Sequence, residues 1–199
     1  MSYPSTLDSR GLRNWATRAV GELAHRRDEI NALNVFPVPD SDTGSNMAHT
    51  MEAAVAELDN GGDVADALAL GAVRGARGNS GMVLSQVLRG VAESTVESVI
   101  DGSVFARSLQ QAVELVDRAI AEPVEGTVIT VLQAAAEAAD DAAAQSSATL
   151  HSIVSAAIAA ARTALERTPS QLPALREAGV VDAGGAGLVI LLESLLAEI

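Results

Sequence analysis

Apolar positions return every three or four residues along nearly the whole chain, the period of helices that bury one face. Leu12, Trp15, Ala19, Val20 and Leu23 mark a first helix that the pattern carries past Ile30 to Leu33. Met47, Met51, Val55 and Leu58 form one stripe of a second, stopped by Asn60-Gly61-Gly62. Asp63 is placed to cap a third, through Leu68 and Val73, and a fourth carries Val83, Val87, Leu88 and Val91. Ser103 begins a fifth, with Leu109, Val113, Val116 and Ile120, which ends before Pro123. Gly126-Thr127 opens a sixth with Val131, Leu132 and Ala135. Leu150, Ile153, Val154, Ala157, Ile158 and Leu165 line a seventh that Pro169 is expected to close. After Pro173 a short turn leads to a last helix through Leu188, Leu191, Leu192 and Leu195. Only residues 96–100 suit a strand as well as a helix, and no fixed-period repeat is present. The expectation is an all-α, eight-helix antiparallel up-and-down bundle.

Short connections make successive helices antiparallel neighbours, so alternate connections share one end. Residues 34–44, 75–81, 126–127 and 179–187 all follow odd-numbered helices in this scheme and fall at the same pole. These are also the chemically unusual segments, rich in glycine, acids and amides.

Composition supports this reading and narrows the chemistry. Hydrophobic residues make up 48% of the 199 residues but aromatics only 2%, so the core is built from Ala, Leu, Val and Ile. Alanine is the best helix former and lets helices approach closely. That length suits one domain rather than two. A formal net charge of −13 argues against nucleic-acid binding through phosphates. All 13 basic residues are arginine. Without lysine, phosphate chemistry must rely on arginine, backbone N–H groups or metal, and no Schiff base can form. Without cysteine there are no disulfides, thiolate nucleophiles or cysteine-ligated zinc. No signal peptide or transmembrane run is visible, so the expected location is the cytoplasm.

The segment Asn34-Val-Phe-Pro-Val-Pro-Asp-Ser-Asp-Thr-Gly-Ser-Asn-Met47 concentrates the chemistry. Two prolines stiffen the approach, and Asp40 and Asp42 then sit one residue apart on a turn. Two carboxylates about 4 Å apart repel by roughly 4 kcal/mol at an effective dielectric near 20, and a divalent cation reverses the sign. Hard oxygen ligands suit Mg²⁺. Pro, Asp, Ser and Gly are equally ordinary turn residues, so the loop alone is also compatible with a surface turn. It is not an EF-hand: counted from Asp40, Gly44 falls at position five, where that loop needs an acid or amide, and Met51 at twelve, where it needs glutamate. Asn79-Ser80-Gly81 places a hydroxyl and free N–H groups at a helix start, an anion site or an N-cap. It lacks the Lys-Ser/Thr pair of a Walker A loop. Gly126-Thr127 and Asp182-Ala183-Gly184-Gly185 are further helix starts. His25, His49 and His151 share no spacing and receive no role.

Together these motifs resemble a family. Asn-Val-Phe-Pro-Val-Pro-Asp-x-Asp-Thr-Gly-x-Asn-Met, Gly-Ala-Arg-Gly-Asn-Ser-Gly, Glu-Gly-Thr and Ala-Gly-Val-Val-Asp-Ala-Gly-Gly look like the N-terminal kinase domain of bacterial fatty acid kinase. That domain is similar to the nucleotide-binding L subunit of dihydroxyacetone kinases. The resemblance spans about Leu12 to Leu196 and implies an eight-helix barrel with ATP and Mg²⁺ at one rim. It implies metal ligation by Asp40 and Asp42, with Asn34 nearest to a third aspartate of the dihydroxyacetone enzymes. Thr43 stands where those enzymes carry histidine, and position 41 is often glycine. Thr43, Ser45, Asn46, Asn79, Ser80 and Gly81 resemble phosphate-side contacts, and Thr127, Asp182, Gly184 and Gly185 the nucleotide pocket. Arg176 matches an arginine that approaches the transferring phosphate, which makes it the implied catalytic residue.

The implied activity is phosphorylation of a fatty acid carboxylate, presented by an acyl-binding carrier protein, to give an acyl phosphate for phospholipid synthesis. Residues 1–199 form one kinase domain in this reading, the N-terminal part of a longer protein that is a homodimer at full length. Two alternatives stay open: a dihydroxyacetone kinase L-type subunit, against which Thr43 and the Phe-Pro-Val-Pro approach argue, and a nucleotide-binding module without turnover of its own.

Overall fold

The computed structural model describes residues 4–199, so residues 1–3 of the expected domain lie outside it. The described residues form ten α-helices, one 3₁₀ turn and no strand. They are α1 (Ser9–His25), α2 (Arg27–Leu33), α3 (Thr43–Glu57), α4 (Val64–Gly75), α5 (Gly78–Ser94), α6 (Gly102–Ala119), α7 (Val128–Ala143), α8 (Leu150–Gln171), α9 (Pro173–Ala178) and α10 (Ala183–Leu196). Eight are the expected helices. The short α2 and α9 extend α1 and α8 at one pole.

Side-chain oxygens start several of them. Asp8, Asp63 and Asp101 accept backbone N–H bonds at the starts of α1, α4 and α6, and Thr149 forms a capping box with Ser152 on α8. Each captures donors that a helix start otherwise leaves bare.

Three local expectations change. The first helix is interrupted at Arg26, whose φ of −100 and ψ of 12 depart from helical values although its N–H still donates to Glu22 and its carbonyl still accepts from Ile30, and Asp28 and Glu29 give α2 its own acidic first turn. The seventh helix runs through Pro169 to Gln171. Proline removes the N–H that would bond the Leu165 carbonyl, but the Thr168 hydroxyl donates to that carbonyl instead, at 2.7 Å. Residues 96–100 form no strand, only isolated bridges between Leu7 and Ile100 and between Val96 and Val99.

Each helix of the main set packs on its chain neighbour, and α10 closes the ring against α1. The centre is lined with small residues: Ala16, Ala19, Ala54, Ala72, Ala112, Ala135, Ala139, Ala157 and Ala161 are fully buried. The last helix is apolar almost all round and buries most of its length, and the Trp15 indole N–H donates to its Leu191 carbonyl at 3.1 Å. No helix among the described residues is long and apolar enough to cross a membrane.

Candidate functional site

The connections α2–α3, α4–α5, α6–α7 and α9–α10 meet at one pole and enclose a cleft of about 530 Å³. The loop before α3 is organised by one buried amide. Asn34 accepts from the N–H groups of Asp42 and Thr43 through Oδ1, at 3.0 and 3.2 Å. Its Nδ2 donates to the carbonyls of Val38, at 3.1 Å, and Phe36, at 3.4 Å. Both lone pairs and both donors are therefore engaged. This corrects the expectation of Asn34 as a metal ligand, since the oxygen a cation would need already holds two N–H groups. Asn34 performs the capping that Asp42, at the N-cap position of α3, does not: the Asp42 carboxylate makes no capping bond. Neither Asp40 nor Asp42 has a side-chain partner among the described residues, and both line the cleft. Ser41 between them has φ +55, a left-handed conformation that suits the glycine common at this position in the resembling kinases. A cis peptide joins Phe36 to Pro37.

On the opposing connection, Gly78, Asn79 and Ser80 form the first turn of α5 and line the cleft, with their amides at a positive helix terminus. Asn46 of α3 lines it too and lies against Gly78, where a Cβ would sit 2.6 Å from the Asn46 amide nitrogen. Gly81 and Ser45 are not in the lining. A Cβ on Gly81 would meet the Thr50 hydroxyl at 2.4 Å, so this glycine sets the approach of α3 and α5. Ser45 is bracketed by Asn31, which donates to its hydroxyl at 3.0 Å and accepts from its N–H at 3.1 Å.

Thr127 and Asp182 complete the wall. The Thr127 hydroxyl donates to the Val124 carbonyl at 2.7 Å, leaving its oxygen toward the cleft as an acceptor only. Asp182 is 6% exposed and caps α10 by accepting from the Gly185 N–H at 2.7 Å. Burial pushes its carboxyl up to about 6, against the opposing pull of the Gly185, Val128 and Gly184 N–H groups. Its own N–H donates to Thr168 of α8 at 3.1 Å. Gly184 lines the cleft, whereas Gly185 packs beneath it on Val131 and Leu165. Arg176 is outside the lining: its guanidinium donates to the carbonyls of Pro169 and Ser170, at 3.2 and 3.1 Å, and closes the end of α8.

Residues 37–197 match the DAK2 domain family. The chain belongs to that family. This DAK2 domain is 39% identical over 200 residues to protein YloV of Bacillus subtilis (strain 168), covering 98% of the chain and 36% of that protein. It is 40% identical over 180 residues to an uncharacterised protein of Staphylococcus aureus (strain USA300), covering 87% of the chain and 33% of that protein. The chain thus spans about a third of the length of these relatives. In fold it is similar to the dihydroxyacetone kinase of C. freundii in complex with AMP-PNP and Mg²⁺, with a TM-score of 0.68 and 20% identity over 94% of this chain and 34% of that one. The native form of that enzyme gives a TM-score of 0.67 at 19% identity, over all of this chain and 37% of the other.

In this DAK2 domain the cleft also has an apolar wall that periodicity could not single out. Phe36, Val38, Met82, Val83, Ile120 and Val124 belong to it. Ile120 reads as an ordinary helix end in the sequence, and only the antiparallel packing brings it to the same cleft as the acidic loop. The ionisable lining is Asp40, Asp42, Glu122 and Asp182, with no arginine or histidine.

Proposed function

We propose that this chain is a Mg²⁺-dependent ATP-binding phosphotransfer domain of the fatty acid kinase type. The observation that carries the reading is the pair of unpartnered carboxylates, Asp40 and Asp42, in the same cleft as the first turn of α5. Among the described residues no group of three or more His, Cys, Asp or Glu side chains gathers as a metal site. Two carboxylates with substrate phosphates are nevertheless the ordinary setting for Mg²⁺, so the donors present fit that ion. When bound, Mg²⁺ supplies charge neutralisation on the phosphoryl oxygens. The fold of the C. freundii kinase, whose structure holds AMP-PNP and Mg²⁺, supports the same assignment.

In-line phosphoryl transfer asks a protein for positioning and charge stabilisation more than covalent chemistry. Asn34 holds the acidic loop so that both carboxylates stay free of their own helix. The amides of Gly78, Asn79 and Ser80, the Ser80 hydroxyl and the Asn46 amide offer donors for phosphate oxygens. The apolar wall suits the face of a base, and Thr127, Gly184 and Asp182 offer the polar contacts beside it. Ser45, Gly81 and Gly185 act from behind, by fixing α3, α5 and α10. Thr43 closes the first turn of α3 in the lining. Arg176 enters as a residue that positions the α8–α9 corner beneath Asp182. The acceptor in this reading is a fatty acid carboxylate brought by an acyl-binding partner, and the product is an acyl phosphate. For the chain taken alone, a cleft without a basic side chain favours nucleotide binding without turnover.

Calorimetric titration with ATP, with and without Mg²⁺, tests the reading. Binding is expected only, or far more tightly, with Mg²⁺, and heat-silent titrations in both conditions would exclude it.

A further inference from the structure

An acid-lined cleft that receives a polyphosphate needs positive charge beyond helix termini, and in a chain without lysine the protein's own share must come from arginine. Most arginines are committed elsewhere: Arg18 to Glu198, Arg74 to Glu57, Arg89 to Glu93, Arg162 to Glu193, and Arg176 to backbone carbonyls. Among the described residues, the guanidinium groups of Arg10, Arg13, Arg77 and Arg167 have no hydrogen-bond or ion-pair partner. Arg10 and Arg13 begin α1 at the opposite pole, and Arg167 borders a groove on the outer faces of α7 and α8. Arg77 differs from these three. It is the N-cap residue of α5, and the next three residues all line the cleft.

Its root is fixed and its head is free. The Arg77 N–H donates to the buried Thr50 hydroxyl at 3.3 Å, and its carbonyl accepts from Gly81 at 3.0 Å. The side chain makes no capping bond and the residue is exposed. A long cation anchored this way at the edge of an acidic cleft stabilises nothing in the free protein, which is the pattern expected of a group held for an anionic ligand.

We propose that Arg77 binds the outermost phosphate of the nucleotide, folding over the mouth of the cleft onto phosphoryl oxygens held at the start of α5. The inference rests on the ATP-binding reading above and adds to it the residue that distinguishes a triphosphate from a monophosphate. A planar guanidinium fork pairs with two phosphoryl oxygens at once, and an ammonium on the same stem does so less well.

The test is calorimetric titration of the 199-residue chain with ATP and with AMP in Mg²⁺, for the parent, Arg77→Gln and Arg77→Lys, alongside thermal unfolding without ligand. Arg77→Gln is expected to weaken ATP binding roughly tenfold and AMP binding by less than about twofold, with Arg77→Lys between parent and Gln. The ligand-free unfolding midpoints should coincide, because Arg77 holds no partner in the fold. Equal changes for ATP and AMP, or no change for either, overturn the Arg77 assignment while leaving nucleotide binding intact. A parent chain that binds neither nucleotide overturns the ATP reading itself, and the role of Arg77 with it.

Discussion

At the scale of single residues, the site depends on which polar groups are occupied and which are left free. Asn34 takes both N–H groups at the start of α3, and Asp42 is thereby released from capping. Asp42→Asn should therefore preserve the loop and remove one hard ligand. We expect roughly tenfold weaker ATP binding in Mg²⁺ and no weakening without it. Equal affinities of mutant and parent in Mg²⁺ would take Asp42 out of the metal site. Asp182 carries the opposite kind of information, since its carboxyl is raised to about 6 by burial. A carboxyl raised on folding contributes stability that is fully present below the unfolded value near 4 and is lost as pH climbs through about 6. Asp182→Asn keeps an oxygen for the Gly185 N–H but cannot ionise. Between pH 4 and 6.5 the parent should lose roughly 2 kcal/mol more stability than the variant, read from urea unfolding at several pH values. Every other group is common to the two proteins, so the difference isolates position 182. Identical pH profiles would show that Asp182 ionises normally in the fold.

At the scale of elements, most of the fold was legible because eight helices announce themselves through apolar stripes such as Met47-Met51-Val55 and Leu150-Ile153-Val154-Ala157. The exceptions lie where a side chain replaces a backbone partner. Pro169 reads as a stop because sequence shows the missing N–H but not the Thr168 hydroxyl that serves Leu165 in its place. The break at Arg26 interrupts no apolar stripe, so periodicity runs straight across it. The site was legible in outline, since the four motif loops do share a cleft, but residue type could not separate Asn34, buried and saturated, from Asp40 and Asp42, which are free. Nor could it separate Ser80 in the lining from Gly81 in the α3–α5 contact. The Thr168 account makes its own prediction. Thr168 is fully buried, donates to Leu165 and accepts from the Asp182 N–H. Thr168→Val leaves both partners unsatisfied and should cost roughly 2–4 kcal/mol, whereas Thr168→Ser should cost about 1 kcal/mol for the lost methyl. Equal urea midpoints for the two variants would mean that the hydroxyl contributes nothing to carrying α8 past Pro169.

At the scale of the whole molecule, the cleft is assembled from four connections that are remote in sequence and adjacent only because the helices alternate in direction. Its lining draws on α3, α5, α7 and α10 together, so a ligand there bears on global unfolding rather than on one loop. In the free protein the cleft lining gathers four acids with no basic side chain among them, a repulsive arrangement that Mg²⁺ and phosphate would relieve. A ligand that binds only the folded chain, present at about 100 times its dissociation constant, stabilises by roughly 2.7 kcal/mol. For a chain of this length that corresponds to a rise in melting temperature of roughly 5–11 °C. We expect that rise with Mg²⁺ and ATP together, and a clearly smaller one with either alone, since the carboxylates repel uncomplexed polyphosphate and Mg²⁺ alone lacks its phosphate ligands. In Asp42→Asn the combined effect should shrink toward that of ATP alone. A melting temperature indifferent to Mg²⁺ and ATP at millimolar concentrations would leave the converging loops as a structural pole of the bundle and remove the nucleotide from it.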